Sequence, residues 1–238
     1  MFDEMFLYLP LSDPVKGLKT GISLLSAGDM WPSWQRENGC RRTLFSRLNI
    51  SVSSLVCLRQ EHTRLVHDAR EPVPADGSPG VGDGLLTADP GLVLGVTVAD
   101  CLPIFLYAEK TGAFGLVHSG WKGTGIALEA VRRLTSSCGL APRDVRIHIG
   151  PGIGACCYRV DSERAETFAR AWGAETVRAS NGGQYLDLRE ANIRSLQGAG
   201  VQHITVSKEC TCCTPRFGSY RRQGPDAFTR MIALIGFF

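Results

Sequence analysis

No stretch of this chain reaches the 18 or so consecutive apolar residues that a membrane-spanning helix needs, so no membrane passage is expected. Basic runs are equally scarce. The arginine pairs at 41–42, 132–133 and 221–222 are isolated, and a net charge of +3 with a pI near 8.4 is too mild to imply a nucleic-acid partner. The N-terminal MFDEMFLYLPLSDP places acids ahead of a short apolar stretch and has no basic leader, so it does not read as a signal peptide and a cytoplasmic location is expected. Nine cysteines form an odd count in a chain that is not small, which makes reduced thiols the better expectation than a disulfide framework. No internal repeat or low-complexity linker divides the chain.

What is present is ordinary globular material: 238 residues, 44% hydrophobic and 21% charged, enough for one domain over 1–238 with a large core. The apolar, β-branched run LVLGVTVA (92–99) predicts a buried strand, and IFLYA (104–108), AFGLVH (113–118), RDVRIHIG (143–150) and HITVS (203–207) predict others. Helical spacing follows in residues 123–139, with Gly139 as the stop, and again in RAETFARAW and LREANIRSLQGAG. Strands alternating with helices predict a mixed α/β fold. The Pro- and Gly-rich stretch 71–84 reads as a loop of the active site.

Three candidate metal ligands end or follow apolar runs: His62 in RQEHTRLV, Cys101 in VTVADCLPIFL and His118 in FGLVHSGWKG. Two imidazoles and one thiolate suit zinc, and three protein ligands leave the fourth position open, as catalytic zinc requires. A single His or Cys at a strand end is more often structural; the combination carries the reading. Cys101 lies between Asp100 and a leucine-proline pair, an irregular polar spot after a strand, and Asp100 is a candidate proton carrier. The turn Ser119-Gly120-Trp121-Lys122-Gly123-Thr124-Gly125 is a candidate phosphate cradle through Ser119, Gly120, Lys122 and Gly123, since free N–H groups at a helix start and a lysine attract anions. It lacks the GK[ST] ending of a Walker A loop. The tail Cys210-Thr211-Cys212-Cys213 and the pair Cys156-Cys157 are read as packing rather than as a ligand cluster, and His67, His148 and His203 show no partner pattern.

QEH at 60–62, ADCLPI at 99–104, HSGWKG at 118–123, IGPGIGACCYRV at 149–160, DLREAN at 187–192, and CT followed by FGSYRR within 210–222 resemble, in this order, the signature segments of the laccase-domain or polyphenol oxidoreductase family. The resemblance covers about residues 38–224. It implies a mixed-sheet fold distantly similar to bacterial deamidating toxins, and an enzyme that phosphorolyses purine nucleosides and deaminates adenosine. Purine nucleoside and phosphate are then the expected partners. Carried over by motif, the implied metal ligands are His62, Cys101 and His118. Ser119 and Lys122 stand where the family has Ala and Arg, and Arg159 where it has Glu.

Three chemistries follow from these residues. Zinc-assisted phosphorolysis or deamination is the leading expectation, although the H-x-E and P-C-x-x-C pattern of the common zinc deaminases is missing. Copper at the same three ligands is the alternative, with polyphenol oxidation as its activity; five histidines and no His-x-His pair are too few for a multicopper centre. A metal-free hydrolase with Cys101 as nucleophile and His118 as base is the third. A non-enzymatic zinc module is disfavoured by the open ligand position.

Overall fold

The computed structural model describes residues 4–11, 16–31, 38–71 and 80–238. It has the expected mixed α/β architecture, in which two larger sheets pack face to face with helices on their outer faces. The five-stranded sheet runs Phe6–Tyr8, Lys19–Ser23, Met231–Gly236, Val93–Val98, Leu55–Cys57. The six-stranded sheet runs His203–Val206, Val145–Ile149, Leu102–Ala108, Ala113–Ser119, Gly84–Thr87, Val66–Asp68. A small three-stranded sheet joins Arg159–Val160, Gly183–Leu186 and Val177–Ser180.

The period-2 alternation of strand side chains produces these layers. In Leu102–Ala108, residues Leu102, Ile104 and Leu106 face Ala127, Ala130, Val131 and Leu134 of the helix Ile126–Cys138, while Phe105 and Tyr107 turn inward. They meet Leu94, Val96 and Val98 of the other sheet, with Met231, Ala233 and Ile235 beside them. The opposite parity, Ile232 and Leu234, packs on Leu44, Phe45 and Leu48 of the helix Gly39–Leu48. Strands covered on both faces have no solvated side, which is why Leu102–Ala108 and Ala113–Ser119 are buried along their whole length and read as continuous apolar runs. Each large aliphatic side chain buried this way contributes about 1.5–3 kcal/mol.

The predicted elements are all present, with shifted ends. The helix expected from Gly123 starts at Ile126, because Gly123–Gly125 form a turn closed by Gly125 at φ +97°. The strand predicted after Pro103 starts at Leu102: Pro103 has no N–H to donate, but its carbonyl accepts from Gly150, so it stays in the ladder. The helices Ser162–Trp172 and Leu188–Gly198 begin at aspartate caps, Asp161 accepting from the Arg164 N–H and Asp187 from the Glu190 N–H. Of the predicted loop at 71–84, positions 72–79 lie outside the described residues. Among the described residues no helix is long and apolar enough to cross a membrane.

Candidate metal centre and its cleft

The chain passes from the five-stranded to the six-stranded sheet twice, and each passage carries one candidate ligand. Residues 58–65 connect Leu55–Cys57 to Val66–Asp68 and hold His62; residues 99–101 connect Val93–Val98 to Leu102–Ala108 and hold Cys101. His118 comes from the strand beside them, where Leu102 pairs with Ser119 and Pro103 with His118. Both passages use left-handed backbone, at His62 (φ +58°) and Asp100 (φ +87°). The result is one cluster: the donor atoms of His62, Cys101 and His118 all lie within 4.8 Å of one another. The site grades from a buried His118 to an exposed His62, so one side faces solvent. Gly120 backs the centre so closely that a Cβ there would stand 2.8 Å from the Cys101 Sγ and 3.2 Å from the His62 ring, so any other residue would displace Cys101.

Asp83, which the sequence reading passed over inside a glycine-rich stretch, organises the centre. Its carboxylate, 1% exposed, accepts from the His118 Nδ1 at 2.8 Å, from the His62 N–H at 3.1 Å, and from the Thr63 N–H and hydroxyl at 2.6 and 2.7 Å. The Glu61 N–H adds a longer bond at 3.3 Å. One group therefore fixes the His118 tautomer, leaving Nε2 for a ligand, and holds the strained His62 loop. Gln60 ties the same loop to the neighbouring strand: its side-chain amide donates to the Thr97 carbonyl and accepts from the Thr97 N–H and hydroxyl.

The electrostatics suit an ionised thiol. Burial opposes charge on Cys101, but the adjacent His118 and then His62 pull its pKa down to about 6. Burial likewise opposes charge on His118, and the Cys101 thiolate and the Asp83 hydrogen bond overcome it, raising the imidazole well above its ordinary range. Burial would raise Asp83 as well; the bonds from His118 and Thr63 hold it at about 2. Without a metal, the three groups form an Asp83–His118–Cys101 charge chain.

A cleft of about 570 Å³ opens over the trio. Its walls are aromatic and cationic: Arg164 stacks 4.7 Å from the Trp121 ring, Arg230 lies 4.1 and 4.2 Å from the Trp31 and Phe228 rings, and Arg221 sits over Tyr158 at 5.5 Å. Of the four turn residues read as a phosphate cradle, only Lys122 lines this cleft. Ser119, Gly120 and Gly123 are buried behind it, and the Ser119 hydroxyl donates to Asn192. The helix start turns away, with Gly125 against Trp172 on a separate cleft. Asp100 lines the site, but both carboxylate oxygens are engaged: Oδ1 accepts from the Thr211 hydroxyl at 2.6 Å and Oδ2 from the Arg221 N–H at 2.7 Å. That arrangement pins the C-terminal segment to the Cys101 corner.

His67, His148 and His203 stay apart from the centre. His148 is buried between the Thr205 and Ser207 hydroxyls, and burial lowers its pKa to about 4; the His67 ring contacts the Val81 carbonyl. Cys156, Cys157, Cys210 and Cys213, read from the sequence as packing, form a second sulfur cluster.

Over residues 34–237 the chain matches the family described as multi-copper polyphenol oxidoreductase laccase. It is 36% identical over 211 residues to the purine nucleoside phosphorylase YlmD of Geobacillus stearothermophilus, spanning 82% of this chain and 77% of that protein. It is also 36% identical over 198 residues to a purine nucleoside phosphorylase of Deinococcus radiodurans, spanning 82% and 75%. The crystal structure of YlmD from Geobacillus stearothermophilus superposes with a TM-score of 0.83 at 33% identity, covering 94% of this chain and 93% of that one.

Proposed function

The chain belongs to the multi-copper polyphenol oxidoreductase laccase family, and from that premise we propose that it is a zinc-dependent purine nucleoside phosphorylase that also deaminates adenosine. We take it to act as a single domain in the cytoplasm, with adenosine, inosine and methylthioadenosine as substrates. The observation that carries this reading is the pairing of a three-donor centre with a cleft walled by aromatic rings and guanidinium groups. Flat π faces suit a purine, and the cations suit phosphate.

The donor set fits zinc: one thiol prone to ionise and two imidazoles, one with its tautomer fixed by a carboxylate. Held by His62, Cys101 and His118, the ion would supply Lewis acidity. The chain supplies the rest. Asp83 holds the proton on the His118 Nδ1, Trp121, Tyr158, Tyr220 and Phe228 enclose the base, and Lys122 and Arg164, flanking Trp121, hold the phosphate. In phosphorolysis a phosphate oxygen forms the new bond to the ribose C1′ as the C1′–N bond breaks, and the purine leaves with a proton. In deamination water adds at C6 of adenosine and ammonia leaves. Copper-dependent polyphenol oxidation is the alternative that the family description suggests; a multicopper centre would need more imidazoles than the two in this cluster, and His148 and His67 bond elsewhere.

One observation favours a second reading: the Asp83–His118–Cys101 chain has the order of an orienting acid, a base and a nucleophile. Incubating metal-defined protein with adenosine, inosine and methylthioadenosine, with and without phosphate, separates the readings. Ribose 1-phosphate formed only with phosphate and zinc supports phosphorolysis. Turnover that survives full chelation and ends on alkylation of Cys101 supports the nucleophile. No turnover of any nucleoside refutes both.

A further inference from the structure

Two turns whose contacting cysteines stand 56 and 57 positions apart in sequence meet beside the Asp100 corner. One follows the strand Val145–Ile149 and holds Cys156 and Cys157; the other follows His203–Val206 and holds Cys210 and Cys213. Their four sulfurs lie within 4.8 Å of one another, with Cys213 at 3.3 Å from Cys157 and 3.6 Å from Cys156. Four thiolates around a tetrahedral zinc at about 2.3 Å place their sulfurs about 3.8 Å apart, since the edge of a tetrahedron is about 1.63 times the centre-to-corner distance. The two shortest separations fall within about half an ångström of that value, and all the others stay under 4.8 Å. We propose that Cys156, Cys157, Cys210 and Cys213 form a second, closed zinc site with a structural role, separate from the His62–Cys101–His118 centre.

Local geometry supports it. Cys210 and Cys213 have the C-x₂-C spacing common in structural zinc sites, with Cys212 as an intervening residue outside the cluster. The Gly154 N–H donates to the Cys210 Sγ at 3.2 Å, and the N–H groups of Cys212 and Cys213 also point at it, the pattern that holds a ligating thiolate. The Arg189 guanidinium, anchored on the Gly152 and Glu209 carbonyls, lies near enough for Cys210 and Cys156 to act on it, and it offsets part of the negative charge of a divalent ion with four thiolates.

The site's work follows from what the two turns carry. Ile153 and Tyr158 on one turn, and Tyr220 and Arg221 just beyond the other, line the nucleoside cleft. The Arg221 guanidinium also donates to the Cys157 carbonyl at 2.9 Å. A zinc ion here clamps one wall of the cleft.

The test counts metal. The chain is purified with zinc and a reductant, and zinc per chain is measured by elemental mass spectrometry for wild type, Cys101→Ala, Cys213→Ser and the double variant. The proposal expects two, one, one and none, with Cys212→Ser remaining at two. Cys101→Ala keeps the test decisive should Cys213→Ser fail to fold: that chain should hold one zinc and shield its cysteine cluster from an alkylating reagent until a chelator is added. A folded Cys101→Ala chain without zinc, whether its cluster thiols alkylate freely or are found joined in disulfides, overturns the proposal.

Discussion

Replacing Asp83 with asparagine tests the architecture of the centre more sharply than replacing a ligand. The carboxylate accepts from His118, His62, Thr63 and, more weakly, Glu61. An asparagine has one accepting oxygen, and its NH₂ must face donors that already point inward. The size of the loss can be worked two ways. The fall of the Asp83 pKa from 3.8 to about 2 corresponds to roughly 2–3 kcal/mol of native-state stabilisation of the anion, at about 1.36 kcal/mol per unit. Hydrogen bonds to a buried charge are worth about 1.5–3 kcal/mol each, so losing one or two gives a similar figure. We therefore expect Asp83→Asn to lower the stability of the metal-free protein by about 3 kcal/mol, or about 6–12 °C in Tm for a chain of this size. Zinc affinity should fall about 10–100-fold, because both histidines lose their orientation. The pH signature has a definite sign. A depressed carboxylate stabilises the fold above its unfolded pKa and loses that contribution as pH falls through the folded one, so wild type should lose this stability between about pH 4 and 2, and the variant should not. Calorimetry across that range, together with a zinc titration near neutral pH, measures all three effects. A folded Asp83→Asn protein that binds zinc within threefold of wild type refutes the assigned role.

Cys101→Ala should abolish nucleoside turnover while Cys212→Ser, outside both sulfur clusters, keeps most of it; equal losses in folded proteins contradict the centre. Lys122→Ala and Arg164→Ala should raise the phosphate concentration needed for half-maximal rate about tenfold, corresponding to roughly 1.4 kcal/mol, with bound zinc unchanged; zinc loss at constant phosphate dependence would move these residues to the support of the metal. His148→Gln should remove an acid sensitivity. Burial lowers this imidazole from 6.5 to about 4, so wild type should lose roughly 3 kcal/mol as pH falls through that interval, and a denaturation series in which variant and wild type run parallel would count against it. Gly120→Ala should impair zinc binding at least tenfold, since the added methyl would overlap Cys101, and unimpaired binding would show that the corner can yield.

The elements legible in the sequence were those whose pattern is local. The strands Val93–Val98 and Ala113–Ser119 are covered on both faces and so spell themselves out as apolar runs, and His118 and Cys101 stand out because polar residues interrupt those runs at sheet corners. Asp83 gives no such signal: between glycines it reads as a loop acid, and its role exists only once residues 61–63 fold back onto it. The cysteine cluster escaped for the same reason, as its halves are two adjacent residues and a C-x₂-C pair brought together by the parallel pairing of His203–Val206 with Val145–Ile149. Orientation is not legible in the phosphate turn: composition places glycines and a lysine near a helix start, and the fold turns Lys122 to the cleft but that start to Trp172. Lys19–Ser23 and Met231–Gly236 went unread, the first because KTGIS carries no strong pattern.

Met231–Gly236 fills the middle of the five-stranded sheet, bonded to Lys19–Ser23 on one side and to Val93–Val98 on the other. During synthesis that slot stays open from the emergence of Val98 to that of Met231, which at about 5–20 residues per second is roughly 7–27 s. All three candidate ligand residues leave the ribosome before the slot closes, whereas Thr211 and Arg221, which hold Asp100 beside Cys101, emerge only shortly before it does. The corner is therefore completed at nearly the same time as the sheet, and until then the unpaired apolar edge is open to another chain's strand.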